Sequence, residues 1–206
     1  MPRAGSGRVA RVPEDLGESQ SGPWPQFLAA PVVAPPEPWR RAGRPIAVGG
    51  LIGAGFGVHP GTGRDLLLAA SHSGLGLFDT VTGERLARDY DNELAWPADD
   101  DLTCAGIGAL AGTRVRMAGL LGGGLHRVAP GGWVVDVVTP DWPKSRVLLA
   151  TGFGPWRGDH GETWWHVFHA GVTELRAAGF SPSGDTLIAA TSSDVSMWTR
   201  APATPR

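Results

Sequence analysis

Apolar positions become regular from residue 46 onward. Ile46 to Phe56 is apolar and glycine-rich, Asp65 to Ser71 is a nearly unbroken apolar run, and Leu75 to Asp79 alternates. A turn of composition Asp79-Thr80-Val81-Thr82-Gly83-Glu84 then leads into Arg85 to Arg88. Runs of this length bounded by Gly, Asp and Thr predict β-strands, here four in one unit. The unit returns at the C-terminal end. Ala178 to Trp198 aligns with Ala54 to Phe78, placing Leu67 to Ser71 on Leu187 to Thr191 and Phe78 on Trp198. Two worn copies lie between them, one at Trp96-Pro97 followed by Leu102 to Ala105, the other at Val138 to Asp141 followed by Val147 to Thr151. The anchors Phe56, Trp96, Val138 and Phe180 are 40, 42 and 42 residues apart. A period near 40 with several short strands per copy is the signature of a propeller-like array.

The phrase from Phe78 to Ala87, FDTVTGERLA, resembles the outer hairpin of WD40-type blades, in which an aromatic closes the third strand and a D-x-x-T-G turn leads to the fourth. The resemblance to the WD40-like propeller superfamily covers roughly residues 46 to 200, with Phe78 and Trp198 where that family places its Trp. The expected fold is all-β and propeller-like, with about four degenerate four-stranded units. An irregular β-sandwich or barrel is the alternative if the glycine-punctuated middle, Cys104 to Pro140, has left the repeat.

Residues 1–43 hold eight prolines and no sustained period, which predicts a partly disordered N-terminal arm. Trp24, Phe27 and Trp39 lie within it, so part of the arm is expected to pack on the domain. The expected organisation is therefore arm (1–43), one domain (44–200) and a disordered tail (201–206).

Composition narrows the function classes. The 31 Gly and 18 Pro argue against long helices, while 42% apolar residues suffice for a core. A net charge of -2 gives no electrostatic case for nucleic acid or a membrane surface. No apolar run reaches membrane-spanning length, and the basic start is not followed by an apolar leader segment, so a cytoplasmic location is expected. The single Cys104 permits no internal disulfide; it falls in an apolar strand, where a buried inert thiol is expected. No cofactor or metal is expected. Gly53 to Gly57 and Gly106 to Gly112 lack phosphate-loop spacing, and Asp99-Asp100-Asp101 lacks the remainder of a calcium loop, leaving it a solvated turn.

The most unusual composition is Gly152 to His169, GFGPWRGDHGETWWHVFH. Its insertion-like first part carries Trp156, Arg157, Asp159, His160 and Glu162, residue types suited to a binding loop. His166 and His169 are an odd number of residues apart, so a regular strand turns them to opposite faces and denies them a shared metal. His72, beside Ser71 and Ser73, occupies a repeat-equivalent turn and makes no triad by adjacency alone. With no assembled catalytic set, the expectation is a non-enzymatic protein–protein interaction module with an unidentified protein partner, of the kind used in bacterial immunity, defence or scaffolding. The alternative is a small-ligand-binding protein or hydrolase using the central mouth of the ring, with His72, His160 and Glu162 as its polar groups.

Overall fold

The computed structural model describes residues 24–152 and 154–200. It is all-β, with 49% strand against 5% helix. Residues 1–23 of the expected arm and the expected tail at 201–206 lie outside the described residues. A short helix α1 (Trp24–Ala29) precedes β1 (Arg40–Arg41), β2 (Ile46–Ala47), β3 (Leu51–Val58), β4 (Asp65–Ser71), β5 (Gly74–Asp79) and β6 (Arg85–Asp89). Then come β7 (Thr103–Ala105), β8 (Arg114–Gly119), β9 (Val128–Ala129), β10 (Trp133–Asp141), β11 (Lys144–Thr151), β12 (Trp164–Ala170), β13 (Leu175–Phe180), β14 (Thr186–Thr191) and β15 (Asp194–Thr199).

These strands form three antiparallel sheets. One runs β6-β5-β4-β3-β8-β7, one runs β12-β11-β10-β9, and the last runs β1-β15-β14-β13 with β2 also on β15. The first and last expected copies have matching registers: Phe56 pairs with Leu67 and Leu67 with Phe78, as Phe180 pairs with Leu187 and Leu187 with Trp198. The outermost position of the first unit is filled by β6. In the last unit it is filled from the other end of the chain, where Arg41 pairs with Trp198 and Ile46 with Val195. Covering the outer edge of β15 in this way removes a row of unpaired backbone groups.

The middle of the chain departs from the expected repeat. Val138 lies on β10 and pairs with Arg146 across a hairpin, but Trp96 lies in a bend outside any strand. Its copy keeps two strands, and these extend the first sheet because Gly53, Ala54 and Gly55 pair with Gly119, Ala118 and Met117. Gly55 permits this approach: a Cβ there would stand 2.2 Å from the Arg116 carbonyl oxygen.

Burial explains the unbroken apolar runs. Leu67 and Ala69 of β4 face a core shared with Ile188, Ala190 and Val195, while Leu66, Leu68 and Ala70 face a second core with Leu75, Cys104 and Met117. A strand covered on both faces has no polar side to alternate with. The Asp79 turn is built by its carboxylate, whose Oδ1 accepts the Val81 and Thr82 amides at 2.8 Å each while Arg64 Nη2 reaches Oδ2 at 2.9 Å. Buried Asp65 accepts from the Ser183 hydroxyl and amide, tying the first unit to a turn of the last.

Residues 24–43 pack on the sheets. Phe27 is fully buried among Val138, Leu148, Ala150 and Trp164, and Trp39 is buried among Trp133, Phe180 and Trp198. The backbone between them is docked too, with the Val33 amide donating to the His166 carbonyl at 2.8 Å.

Candidate functional site

The expected binding loop joins β11 to β12 and braces itself. The Asp159 carbonyl accepts the Thr163 amide at 3.0 Å and the Glu162 amide at 3.2 Å, and the Trp164 indole donates to the Gly158 carbonyl at 3.2 Å. Gly158 has φ +86°, and a Cβ there would lie 2.2 Å from the Thr163 hydroxyl, so only glycine fits the turn. Arg157, Asp159 and Glu162 are exposed, and half-buried His160 meets Trp164 edge-on, ring centroids 4.8 Å apart. Trp156 is 45% exposed, and its other side meets Phe27 edge-on at 5.2 Å. Its ring is thus a wall of the pocket that seats α1 as well as surface.

His72 is exposed on the β4–β5 turn of another sheet, 5.4 Å from the Trp96 ring. The groove that Ser71 and Ser73 help to line contains neither His160 nor Glu162. The structure therefore brings Trp156, Arg157, Asp159, His160 and Glu162 together on one loop and leaves His72 apart from them.

Two features of the opposite end of the β10–β11 hairpin escape the sequence pattern. The first is a β-bulge. Val147 pairs with Phe168 and Leu148 with His166, so Val167 is an extra residue in β12. The bulge turns His166 and His169 to the same face, ring centroids 5.7 Å apart, correcting the expectation of opposite faces. Arg146, paired with His169 across the strands, and Asp141 complete a polar cluster in which Asp141 Oδ1 and Arg146 Nε lie 3.7 Å apart. Since the Ala30 carbonyl can only accept, the His166 Nδ1 2.9 Å away carries the proton and donates. That leaves His166 Nε2 buried without a hydrogen bond, as is His169 Nε2; Arg146 Nε and Asp141 Oδ1, at their separation, are an ion pair but not a hydrogen bond. Burial, with the Arg146 charge, holds both histidines below their ordinary pKa. Among the described residues no group of three or more His, Cys, Asp or Glu is placed to hold a metal.

The second feature lies at the hairpin tip. Trp142 is 84% exposed, and Val172, on the loop between β12 and β13, is fully exposed. Between them is a hollow of about 450 Å³ whose walls include Pro143, Ala170, Thr173 and Leu175. A Trp-Pro pair at a hairpin tip, where no strand can bury the indole, is the signal that could have marked this surface.

Other expectations are met locally. Cys104 is buried, its thiol pushed up to about 11 by desolvation, and Asp99, Asp100 and Asp101 sit on an exposed turn. No helix among the described residues is long and apolar enough to cross a membrane. Compared with family models, curated proteins and solved structures, the chain finds no match.

Proposed function

We propose that this chain is a protein-interaction module on a propeller-like scaffold, whose partner inserts an apolar side chain into the hollow between Trp142 and Val172. The carrying observation is the 84% exposure of Trp142 beside a fully exposed Val172. An indole in water forfeits most of its burial free energy, and Trp is enriched among residues that dominate interface energetics once a partner desolvates them. The hollow supplies the complementary half: a concave wall of Pro143, Ala170 and Leu175 beside the protruding ring. The propeller-like scaffold is supported by the matched registers of the first and last units and by the N-terminal strands that complete the last one.

The 152–163 loop is a second surface at the other end of the same sheet. β11 separates the two by eight residues, about 26 Å in an extended strand. Because Trp156 already seats α1, the Trp142 end is assigned the partner's anchor. A hydrolase or ligand site built on His72, His160 and Glu162 gains no support, since His72 stands on a different sheet from the loop that carries His160 and Glu162.

The test is quantitative capture from a lysate of the source organism by the intact chain and by Trp142→Ala, followed by affinity measurement on each purified partner. The expected result is a partner whose binding weakens about 30-fold, roughly 2 kcal/mol, in the variant, with an unchanged unfolding midpoint. Equal capture and equal affinity by the two chains overturn the reading.

A further inference from the structure

Away from the Trp142 surface, the first and last sheets diverge and leave a groove of about 580 Å³. Its floor is one face of the first sheet, in two cross-strand rows. Ala69 pairs with Gly76 and Gly76 with Arg88, and alongside them Phe78 pairs with Arg85. Each row is small or apolar on the inner strands and ends in an arginine on β6, an outermost strand of its sheet. Gly76 keeps the floor low, because a Cβ there would come within 2.8 Å of the Phe78 ring and 3.7 Å of Arg88 Nη1. The facing wall is the segment around β2, including Ile46 and Val48, with Arg44 at its mouth.

The lining includes three arginines and no acidic side chain, on a chain whose net charge is -2. Arg88 is oriented in advance: its Nη2 donates to the Ser73 carbonyl at 2.7 Å, and its guanidinium lies 5.0 Å from the Tyr90 ring centroid. Neither contact neutralises it. Each ion pair among the described residues is made by another cation, such as Arg64 with Asp79 or Arg200 with Asp185, which leaves Arg44, Arg85 and Arg88 without a carboxylate. Guanidinium forks match the paired oxygens of carboxylate and phosphate groups, and a partly apolar pocket of several hundred Å³ is the size that small ligands occupy.

We infer that this groove binds a small organic oxyanion, a molecule with a flat apolar or aromatic body and at least one phosphate or carboxylate group. The body lies on Ala69, Gly76 and Phe78 against Ile46 and Val48; the oxyanion is held by Arg44, Arg85 and Arg88.

Calorimetric titration of the full chain tests this with four probes: inorganic phosphate, a nucleoside monophosphate, the corresponding neutral nucleoside, and benzene-1,3-dicarboxylate. The expected result is submillimolar binding of the nucleotide, the dicarboxylate or both, tighter than inorganic phosphate and weakened by added salt, with the neutral nucleoside inert. Preference between the two binders identifies the oxyanion. An Arg44→Gln/Arg85→Gln variant, altered only at exposed positions, should lose at least tenfold in affinity and keep its unfolding midpoint, while Trp142→Ala should bind as the unaltered chain does. Absence of binding to every probe, equal binding by the arginine variant, equal binding of the neutral nucleoside, or binding confined to an acidic peptide such as polyglutamate would each overturn the assignment.

Discussion

Phe27→Ala decides whether residues 24–43 are part of the domain's stability. Phe27 is 0% exposed and meets Trp156 and Trp164 edge-on, each at 5.2 Å, with interplanar angles of 80° and 87°. The surrounding Val138, Leu148 and Ala150 stand on two paired strands and cannot collapse far into the void. Truncating a buried Phe to Ala costs about 3–5 kcal/mol, a range that already contains most of the roughly 1 kcal/mol carried by each edge-to-face ring pair. The loss cannot exceed the free energy that docks the arm, since beyond that point the arm detaches and the remaining sheets stand alone. Detachment would also break the Val33–His166 and Ala30–His166 hydrogen bonds and bare the outer edge of β12. The expected outcome in urea unfolding, followed by tryptophan fluorescence, is a loss of about 4 kcal/mol. Limited proteolysis should show new cleavage between residues 30 and 39. A loss under about 1 kcal/mol with an unchanged cleavage pattern would refute the docking of the arm as a stabilising element.

Two further outcomes follow from the buried titrating groups. Burial lowers the pKa of His166 below 6.5, as burial and then Arg146 do for His169, partly offset by Asp141, so the unfolded chain takes up protons first as pH falls. Stability should therefore be full above about pH 6.5 and decline as pH drops toward the folded-state values; urea midpoints at pH 7.5 and 5.5 check this, and His166→Asn should flatten the difference. Cys104, its thiol raised to about 11, should resist a thiol reagent at pH 8 until denaturant is added, and stoichiometric labelling of the native chain within minutes would contradict its burial.

What the sequence determined by itself is local. Apolar runs of strand length, punctuated by Gly, Asp and Thr, are enough to define hairpins, because the partner strand is the next one along and the turn sets the register. That is why the pairings of Phe56 and Phe78 with Leu67 match those of Phe180 and Trp198 with Leu187, why the Asp79 turn could be read directly, and why Cys104 could be placed inside. What only the tertiary structure decided depends on which elements meet over long separations. The pairing of β1 with β15, and of β8 with β3, leaves no periodic trace in either segment. One extra residue at Val167 reverses the faces of His166 and His169, and a bulge is invisible to a count of spacing. Trp142 and Trp164 are the same residue type, yet one is 84% exposed and the other 1%, because α1 covers the face that holds Trp164 and no strand reaches the hairpin tip. Arg44 meets Arg85 and Arg88 of β6 for the same kind of reason: the packing of the last sheet on the first brings it to them.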